Sequence, residues 1–241
     1  MVKNAPNKPH RRHLFSAVPS FRYHRRIGLM GGSFNPAHDG HLYIAEQARV
    51  AAGLDEVWWL VSPQNPLKTS DGMAKFEDRL DYARMLAQPR WLRVLDFERR
   101  HHTTKTADTL RKLGQLFAHP QFFWIMGADN LEQFSAWDRA ALIAGTVPIL
   151  VMNRPGYTYR ALGSAGAALL GHKRRIMSPR RLGREKQPVR CGRQKYGWSF
   201  IHQTRNPLSA TLLRAGARSL IRALTCPVCK NRLLRALSYR P

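Results

Sequence analysis

The amino-acid sequence predicts an α/β fold, a Rossmann-like parallel sheet with helices on both faces. Short apolar runs alternate with helical segments of ten or more residues, which is the pattern of βαβ units. The segments that could carry chemistry follow apolar runs directly, as expected where ligands bind at the carboxyl ends of parallel strands. With 241 residues, 44% of them hydrophobic, the chain can also bury a large core.

Six apolar runs are predicted as strands, and the segments between and after them as helices. The strands are residues 27–30, 56–61, 92–97, 121–126, 147–152 and 198–201. The helices are residues 39–52, 75–87, 106–117, 131–143, 161–170 and 209–224. Gly53 is expected to end the first helix. Residues 62–72, which include two prolines, are expected to form a loop.

The charge of the chain is large and uneven. The formal net charge is +25, residues 1–26 hold seven Lys or Arg and no acid, and Glu185 is the only acid from Arg160 onward. A basic surface can bind nucleic acid non-specifically, so a nucleic-acid-binding protein is one open interpretation. We predict three parts: a basic, disordered or loosely packed arm at 1–26, a domain over 27–216 with a basic surface loop near 171–195, and a basic extension at 217–241.

Several classes of protein are not favoured. No apolar run reaches the ~18 residues that a membrane span needs, and no long apolar segment follows the basic N-terminus, so neither a span nor a secretory signal is expected. Three cysteines do not make a disulfide framework, and cytoplasmic residence is expected. Cys226 and Cys229 have the spacing of half a zinc site. No second pair follows, and Cys191 with His172 or His202 has no zinc-site spacing, so unligated thiols are favoured.

The stretch from residue 28 to 41 organises the chain. It reads Gly-Leu-Met-Gly-Gly-Ser-Phe-Asn-Pro-Ala-His-Asp-Gly-His and is predicted as strand, tight loop and helix start. Gly31 and Gly32 lack a Cβ, so the backbone can lie close to a phosphate or a ring. His38 and His41 are three residues apart and share one face of the helix. A helix N-terminus attracts anions, so this segment suits a polyphosphate.

This stretch resembles the signature of nucleotidyltransferases that carry a His-x-Gly-His box, and it looks most like nicotinate-nucleotide adenylyltransferase. The resemblance covers roughly residues 27–216 and implies a nucleotidyltransferase-type sheet. It implies that His38 and His41 are catalytic. It also implies that the surrounding residues bind ATP, namely Gly31, Gly32, Ser33, Phe34 and Gly40.

Two further motifs match the family in order. The loop from Ser62 to Lys68 follows the second strand, and the resemblance places Lys68 near the phosphates. Residues 103–110, Thr-Thr-Lys-Thr-Ala-Asp-Thr-Leu, resemble the Thr-rich helix start that holds the pyridine nucleotide. Thr104 and Thr106 would donate hydrogen bonds there. A threonine could also simply cap the helix, and the two interpretations are compatible. The family often has Tyr where this chain has Lys105.

The last two motifs lie farther along the chain. Residues 124–137 contain Gly-Ala-Asp-Asn-Leu and a later Trp, which resembles the nicotinate-nucleotide branch. Gly127 and Asp129 would contact ATP, with Asp129 accepting from ribose hydroxyls, and Trp137 would stack on the pyridine ring or pack in the core. Residues 206–214 resemble the family's Ile-Ser-Ser-Thr-x-Ile-Arg box. There Ser209 and Thr211 would bind ATP and Arg214 would act in catalysis; Ala210 replaces one hydroxyl.

The resemblance implies the transfer of an adenylyl group from ATP to nicotinate mononucleotide, which yields nicotinate adenine dinucleotide and pyrophosphate in NAD biosynthesis. Mg²⁺ would arrive with ATP, and no cluster of carboxylates suggests a metal site made of protein side chains. A sister enzyme of the phosphopantetheine type remains an alternative, as does a basic nucleic-acid-binding protein. The oligomeric state, the preference between acid and amide nucleotide, and the role of the extensions stay open.

Overall fold

The computed structural model describes residues 25–63, 73–153, 158–171, 174–177 and 197–202. Lys68, the predicted helix at 209–224 and the motif at 206–214 lie outside the described residues, as do all three cysteines. The predicted N-terminal arm, apart from Arg25 and Arg26, and the C-terminal extension also lie outside them. The division of the chain into these parts stays a prediction.

The predicted parallel sheet is confirmed. Seven strands pair in parallel in the order β3-β2-β1-β4-β5-β7-β6. The chain places β2 and β3 on one side of β1 and the later strands on the other, so the order reverses between β1 and β4. The strands are β1 Arg26–Gly32, β2 Glu56–Val61, β3 Leu92–Leu95, β4 Gln121–Gly127, β5 Ile149–Met152, β6 Arg174–Met177 and β7 Trp198–Ile201.

Helices cover both faces of this sheet. On one face the side chains of α1 and α2 pack with Val57 and Trp59, and on the other those of α4 to α6 and α8 pack with Trp58 and Trp124. Neighbouring residues of β2 point to opposite faces, which is why one strand contributes to both cores. The helices are α1 Asp39–Ala52, α2 Phe76–Leu86, α3 Phe97–Arg100, α4 Thr106–Leu116, α5 Ala128–Gln133, α6 Ala140–Thr146, α7 Thr158–Leu162 and α8 Ala165–Leu170, with a 3₁₀ turn at Phe134–Ala136.

Most predicted elements lie within one or two residues of their observed bounds, and Gly53 ends α1 in the left-handed conformation as expected. The prediction of one helix over 131–143 is wrong. The chain leaves helical geometry at Trp137 and reverses at Arg139, whose φ is +52°. The predicted helix 161–170 is likewise two helices, because Ser164 accepts the Ala167 N–H at 3.2 Å and starts a new one.

Three further differences concern strands. The predicted strand 92–97 ends at Leu95, and α3 follows it at once. β5 begins at Ile149 rather than 147, and Val147 caps the end of α6. The predicted loop 171–195 contains β6, whose Arg-Arg-Ile-Met sequence carries no strong strand signal and which pairs along β7.

No helix in the described part of the chain is long and apolar enough to cross a membrane.

Candidate active site

The first and fourth predicted motifs lie at the carboxyl edge of the sheet, after β1 and β4. β1 ends at Gly32 and β4 ends at Gly127, and these neighbouring strands flank the point where the strand order reverses. In open α/β sheets this crevice is the usual ligand site. The first turn of α1 follows β1 through a short loop, so the positive end of this helix dipole is at the same edge.

Two histidines cap α1 reciprocally. The Nδ1 atom of His38 accepts the Gly40 N–H at 3.1 Å, and the Nδ1 atom of His41 accepts the His38 N–H at 3.2 Å. A nitrogen that accepts a hydrogen bond cannot hold a proton, so each ring carries its proton on Nε2. Both rings are thereby fixed as Nε2–H donors, with their centroids 3.9 Å apart.

The side chain of Phe34 packs against the His41 ring. Its φ of +45° is in the left-handed region, which is uncommon for an aromatic residue. The ring is buried, with its centroid 4.9 Å from that of His41 and 5.0 Å from that of Trp59. This packing compensates the backbone cost and restricts the orientation of His41.

Gly31 and Gly32 differ in how much space a side chain would have. A Cβ on Gly31 would lie 2.8 Å from the Trp124 ring, so this position needs glycine for packing within the sheet. A Cβ on Gly32 would meet only the Phe34 ring at 3.4 Å, an ordinary contact. The sequence suggested that the backbone at these glycines could lie close to a ring. At Gly31 that ring is the indole of Trp124.

The Thr-rich segment does not cap α4 with a threonine side chain. Lys105, and neither Thr104 nor Thr106, is the N-cap of α4, and no side chain makes a capping hydrogen bond there. The simple capping interpretation is thus wrong. The Lys105 ammonium lies 3.3 Å from the Asp138 carboxylate, and Arg139 pairs with Asp108 at 2.7 Å. These pairs bring the start of α4 beside the turn that carries Trp137.

A buried polar cluster behind this segment was missed by sequence reasoning. Glu98 is buried, and its Oε1 accepts from the Thr109 hydroxyl at 3.3 Å, which lies 3.0 Å from the Thr103 hydroxyl. Burial raises the pKa of Glu98 to about 7, while hydrogen bonds from Ser62 and Thr109 act in the opposite direction. The sequence contains no pattern that predicts the burial of Glu98, which is followed by Arg99 and Arg100.

The fourth motif places its residues as predicted along the chain. Gly127 is the N-cap of α5, and Asp129 lies in the first helical turn. Trp137 is half-buried; its ring centroid lies 5.4 Å from that of Phe134 and 6.2 Å from that of Trp124. The packing alternative considered for Trp137 is therefore realised, and contact with a ligand stays a prediction.

Arg79 of α2 is a second residue that the sequence reasoning missed. It is 2% exposed and donates to carbonyl oxygens of the β1–α1 loop, of the end of β2 and of the segment before α2. The signal was available, because Arg79 shares the buried face of α2 with Leu80 and Ala83.

This arrangement defines a class of protein. Sheet order, a helix N-terminus at the switch point and two histidine donors are those of a nucleotidyltransferase, and the chain belongs to the cytidylyltransferase-like family, whose model matches residues 29–216.

Within that family the chain is similar to proteins of one kind. It is 47% identical over 189 residues to a probable nicotinate-nucleotide adenylyltransferase of Gluconobacter oxydans, covering 78% of this chain and 93% of that one. It is 50% identical over 145 residues to one of Parvibaculum lavamentivorans, covering 60% and 72%. The fold is also that of the Plasmodium falciparum nicotinic acid mononucleotide adenylyltransferase complexed with NaAD, with a TM-score of 0.55 at 15% identity over 82% of this chain and 84% of that one.

Proposed function

We propose that this protein is a nicotinate-nucleotide adenylyltransferase, which converts ATP and nicotinate mononucleotide into nicotinate adenine dinucleotide and pyrophosphate, a step of NAD biosynthesis. The observation that carries the proposal is the reciprocal His38–His41 cap at the switch point of the sheet, in which both Nδ1 atoms accept backbone N–H groups and the ring protons are therefore on Nε2. The identity of the acceptor is supported by the names of relatives at 40–50% identity.

The reaction is a displacement at phosphorus. A phosphate oxygen of nicotinate mononucleotide forms a bond to the α-phosphorus of ATP, the bond from that phosphorus to the bridging oxygen breaks, and its electron pair leaves with pyrophosphate. The attacking phosphate is already ionised at neutral pH, so no general base is needed. Catalysis therefore consists of alignment and of stabilising the charge that moves to the leaving group.

In this scheme His38 and His41 donate from Nε2 to oxygens of the α- and β-phosphates. The tautomer is set before ATP arrives, because both Nδ1 atoms are engaged by backbone N–H groups. Donors of this kind suit phosphate oxygens and not a cation. Mg²⁺ would therefore be held by the phosphates of ATP, where it would offset the charge of the leaving pyrophosphate.

The remaining assignments complete the proposal. ATP contacts come from the loop after β1 and from the start of α5, with Asp129 directed to the ribose. Trp137, Thr104 and Thr106 hold the pyridine nucleotide, beside the Lys105–Asp138 pair. The phosphate contacts outside the described residues come from Lys68, Ser209, Thr211 and Arg214. Cytoplasmic residence, predicted from the sequence, belongs to the same proposal.

The direct test is pyrophosphate release from ATP with three acceptors in parallel: nicotinate mononucleotide, its amide and phosphopantetheine. We expect the highest kcat/KM with nicotinate mononucleotide. Faster turnover of phosphopantetheine would support the sister-enzyme alternative. Absence of turnover with all three, together with salt-dependent DNA binding, would support the nucleic-acid alternative.

A further inference from the structure

We propose that Arg79 is a positioning residue for the ATP phosphates, which fixes the loop after β1 against the end of β2 through backbone carbonyls alone. The inference rests on the proposed function, because it assigns the loop after β1 to ATP. Arg79 itself lies on α2, outside every motif recognised in the sequence.

The guanidinium joins three segments of the chain. Its Nη1 donates to the carbonyl of Ser33 and, at 2.8 Å, to that of Ser62. Its Nη2 donates to Pro63 at 2.9 Å, and its Nε donates to Ala74 at 3.1 Å. The Ala74 N–H in turn donates to the Asn35 side chain at 3.2 Å, which adds a second link to the same loop.

Burying a guanidinium costs free energy, which is more than a residue with only a packing role would require. A buried cation loses its hydration, and burial lowers the pKa of Arg79 relative to its ordinary value. The four bonds described above all end on carbonyls, so backbone dipoles balance most of the charge, and the nearby Glu77 carboxylate attracts it as well. A site that binds a polyphosphate benefits from such a buried positive charge behind its loop.

The contact with Ser33 also has a directional effect. The C=O and the following N–H of a trans peptide point in opposite directions. Holding the Ser33 carbonyl toward α2 therefore directs the Phe34 N–H away from α2. The same contact fixes the start of the loop whose Phe34 ring supports His41.

The test compares Arg79→Lys with Arg84→Lys. Arg84 lies on the same helix, is partly exposed and pairs with Asp81, so its variant controls for a change of Arg to Lys in α2. Lysine keeps the charge of residue 79 but cannot form the four-way fork. We expect kcat/KM for ATP to fall about 10–100-fold in Arg79→Lys, which corresponds to losing a charged hydrogen bond. KM for nicotinate mononucleotide should change less than threefold.

A readout that does not depend on the acceptor distinguishes the two proposals. Amide hydrogen exchange of the free Arg79→Lys protein should be faster in residues 31–35 and at Ser62 and unchanged in β4 and β5. If the wild-type enzyme transfers the adenylyl group to a different acceptor, the proposed function is wrong. The hydrogen-exchange measurement still tests the role of Arg79 in that case. Faster exchange throughout the protein, or equal loss for both substrates, would overturn the positioning role.

If Arg79→Lys does not fold, the wild-type protein provides the measurement. The Arg79 Nε–H should give a slowly exchanging NMR resonance, because that group is buried and bonded to Ala74. The resonance should shift when a non-hydrolysable ATP analogue is added and stay in place with nicotinate mononucleotide. No shift with the analogue would contradict the proposal.

Discussion

His38 and His41 have an observed structural task and a proposed chemical one. Their Nδ1 atoms cap α1, and the same hydrogen bonds place the ring protons on Nε2. The sequence motif therefore specifies the tautomer of both rings as well as their place at the start of α1. Substitutions can separate the two tasks, because capping needs only an acceptor.

His38→Asn should keep the cap and lose the Nε2–H donor, because the shorter asparagine amide does not reach the position of Nε2. An asparagine oxygen accepts the Gly40 N–H as the imidazole does, so the free energy of unfolding should stay within ~0.5 kcal/mol of wild type. The kcat should fall by ~10²–10³, as for loss of a transition-state donor. His38→Ala is the matched comparison, with the same kinetic loss and a further ~0.5–2 kcal/mol of instability. Turnover of His38→Asn within threefold of wild type would refute the role assigned to Nε2.

Glu98 should give the stability a measurable pH dependence. Its pKa is raised from 4.5 to about 7 in the folded state, so the folded protein binds the proton more tightly than the unfolded chain. The contribution of Glu98 to the free energy of unfolding is fully present below pH 4.5. It is lost as the pH rises through 7, by about 3 kcal/mol in all. Urea unfolding of wild type and Glu98→Gln at pH 5 and pH 8 measures it. The Gln variant should gain ~2–3 kcal/mol relative to wild type over that interval, and a constant difference would contradict the assignment.

At the scale of elements, the start of α4 and the turn before α6 form one unit. The ion pairs of Lys105 with Asp138 and of Arg139 with Asp108 hold the two together. The turn exists because the predicted helix 131–143 is interrupted at Trp137. That interruption places a half-buried indole beside the Thr-rich segment, where the pyridine nucleotide is proposed to bind.

Stacking and hydrogen bonding should affect specificity differently in this unit. Trp137→Ala should weaken acid and amide nucleotides alike, by ~1–3 kcal/mol, because a stacking face is indifferent to the substituent. Thr104→Val or Thr106→Val should instead change the ratio of kcat/KM for the two nucleotides, since unmatched hydrogen bonds discriminate.

Trp137→Phe is the control for packing on Phe134 and Trp124, because it retains an aromatic ring in that place. A ratio that moves with Trp137→Ala and not with the threonine variants would show that the pyridine ring lies elsewhere.

Across the whole molecule, the two edges of the sheet have different tasks. The carboxyl edge carries the candidate site, and the amino edge carries a stabilising cluster around Glu56, the first residue of β2. The buried Glu56 carboxylate pairs with Arg25, accepts from Arg93 at 3.1 Å and accepts from the Trp58 indole at 2.9 Å.

Glu56→Gln should therefore lower stability without changing catalysis. Three donors lose a charged acceptor, and we expect ~1–3 kcal/mol less free energy of unfolding. Glu77→Gln is the control, because Glu77 forms an exposed pair with Arg99 and should contribute little. Denaturant unfolding and steady-state kinetics test this together. A kcat for Glu56→Gln more than threefold below wild type would show that the edges are not independent.

The sequence by itself determined the class of fold and the position of the first motif. Apolar runs and glycine punctuation are local signals, so α1 and β2 have the predicted bounds and the sheet is parallel as expected. The pair His38 and His41 was also predictable, because residues three apart at a helix start must share a face.

Tertiary structure alone decided the features that depend on distant neighbours. Gly166 allows α8 to approach α5 so closely that a Cβ would lie 2.0 Å from the Leu131 carbonyl, and no local signal reports that contact. Glu98 faces inward where a hydroxyl 11 residues along the chain donates to it. Helical periodicity indicates that Arg79 is buried, but one of the carbonyls that holds it lies 46 residues away. The helix ends at Trp137, whose ring packs against Phe134 and against Trp124 of β4. Local sequence encodes propensity and periodicity, whereas a buried charge is tolerated only where the folded chain brings its partners to it.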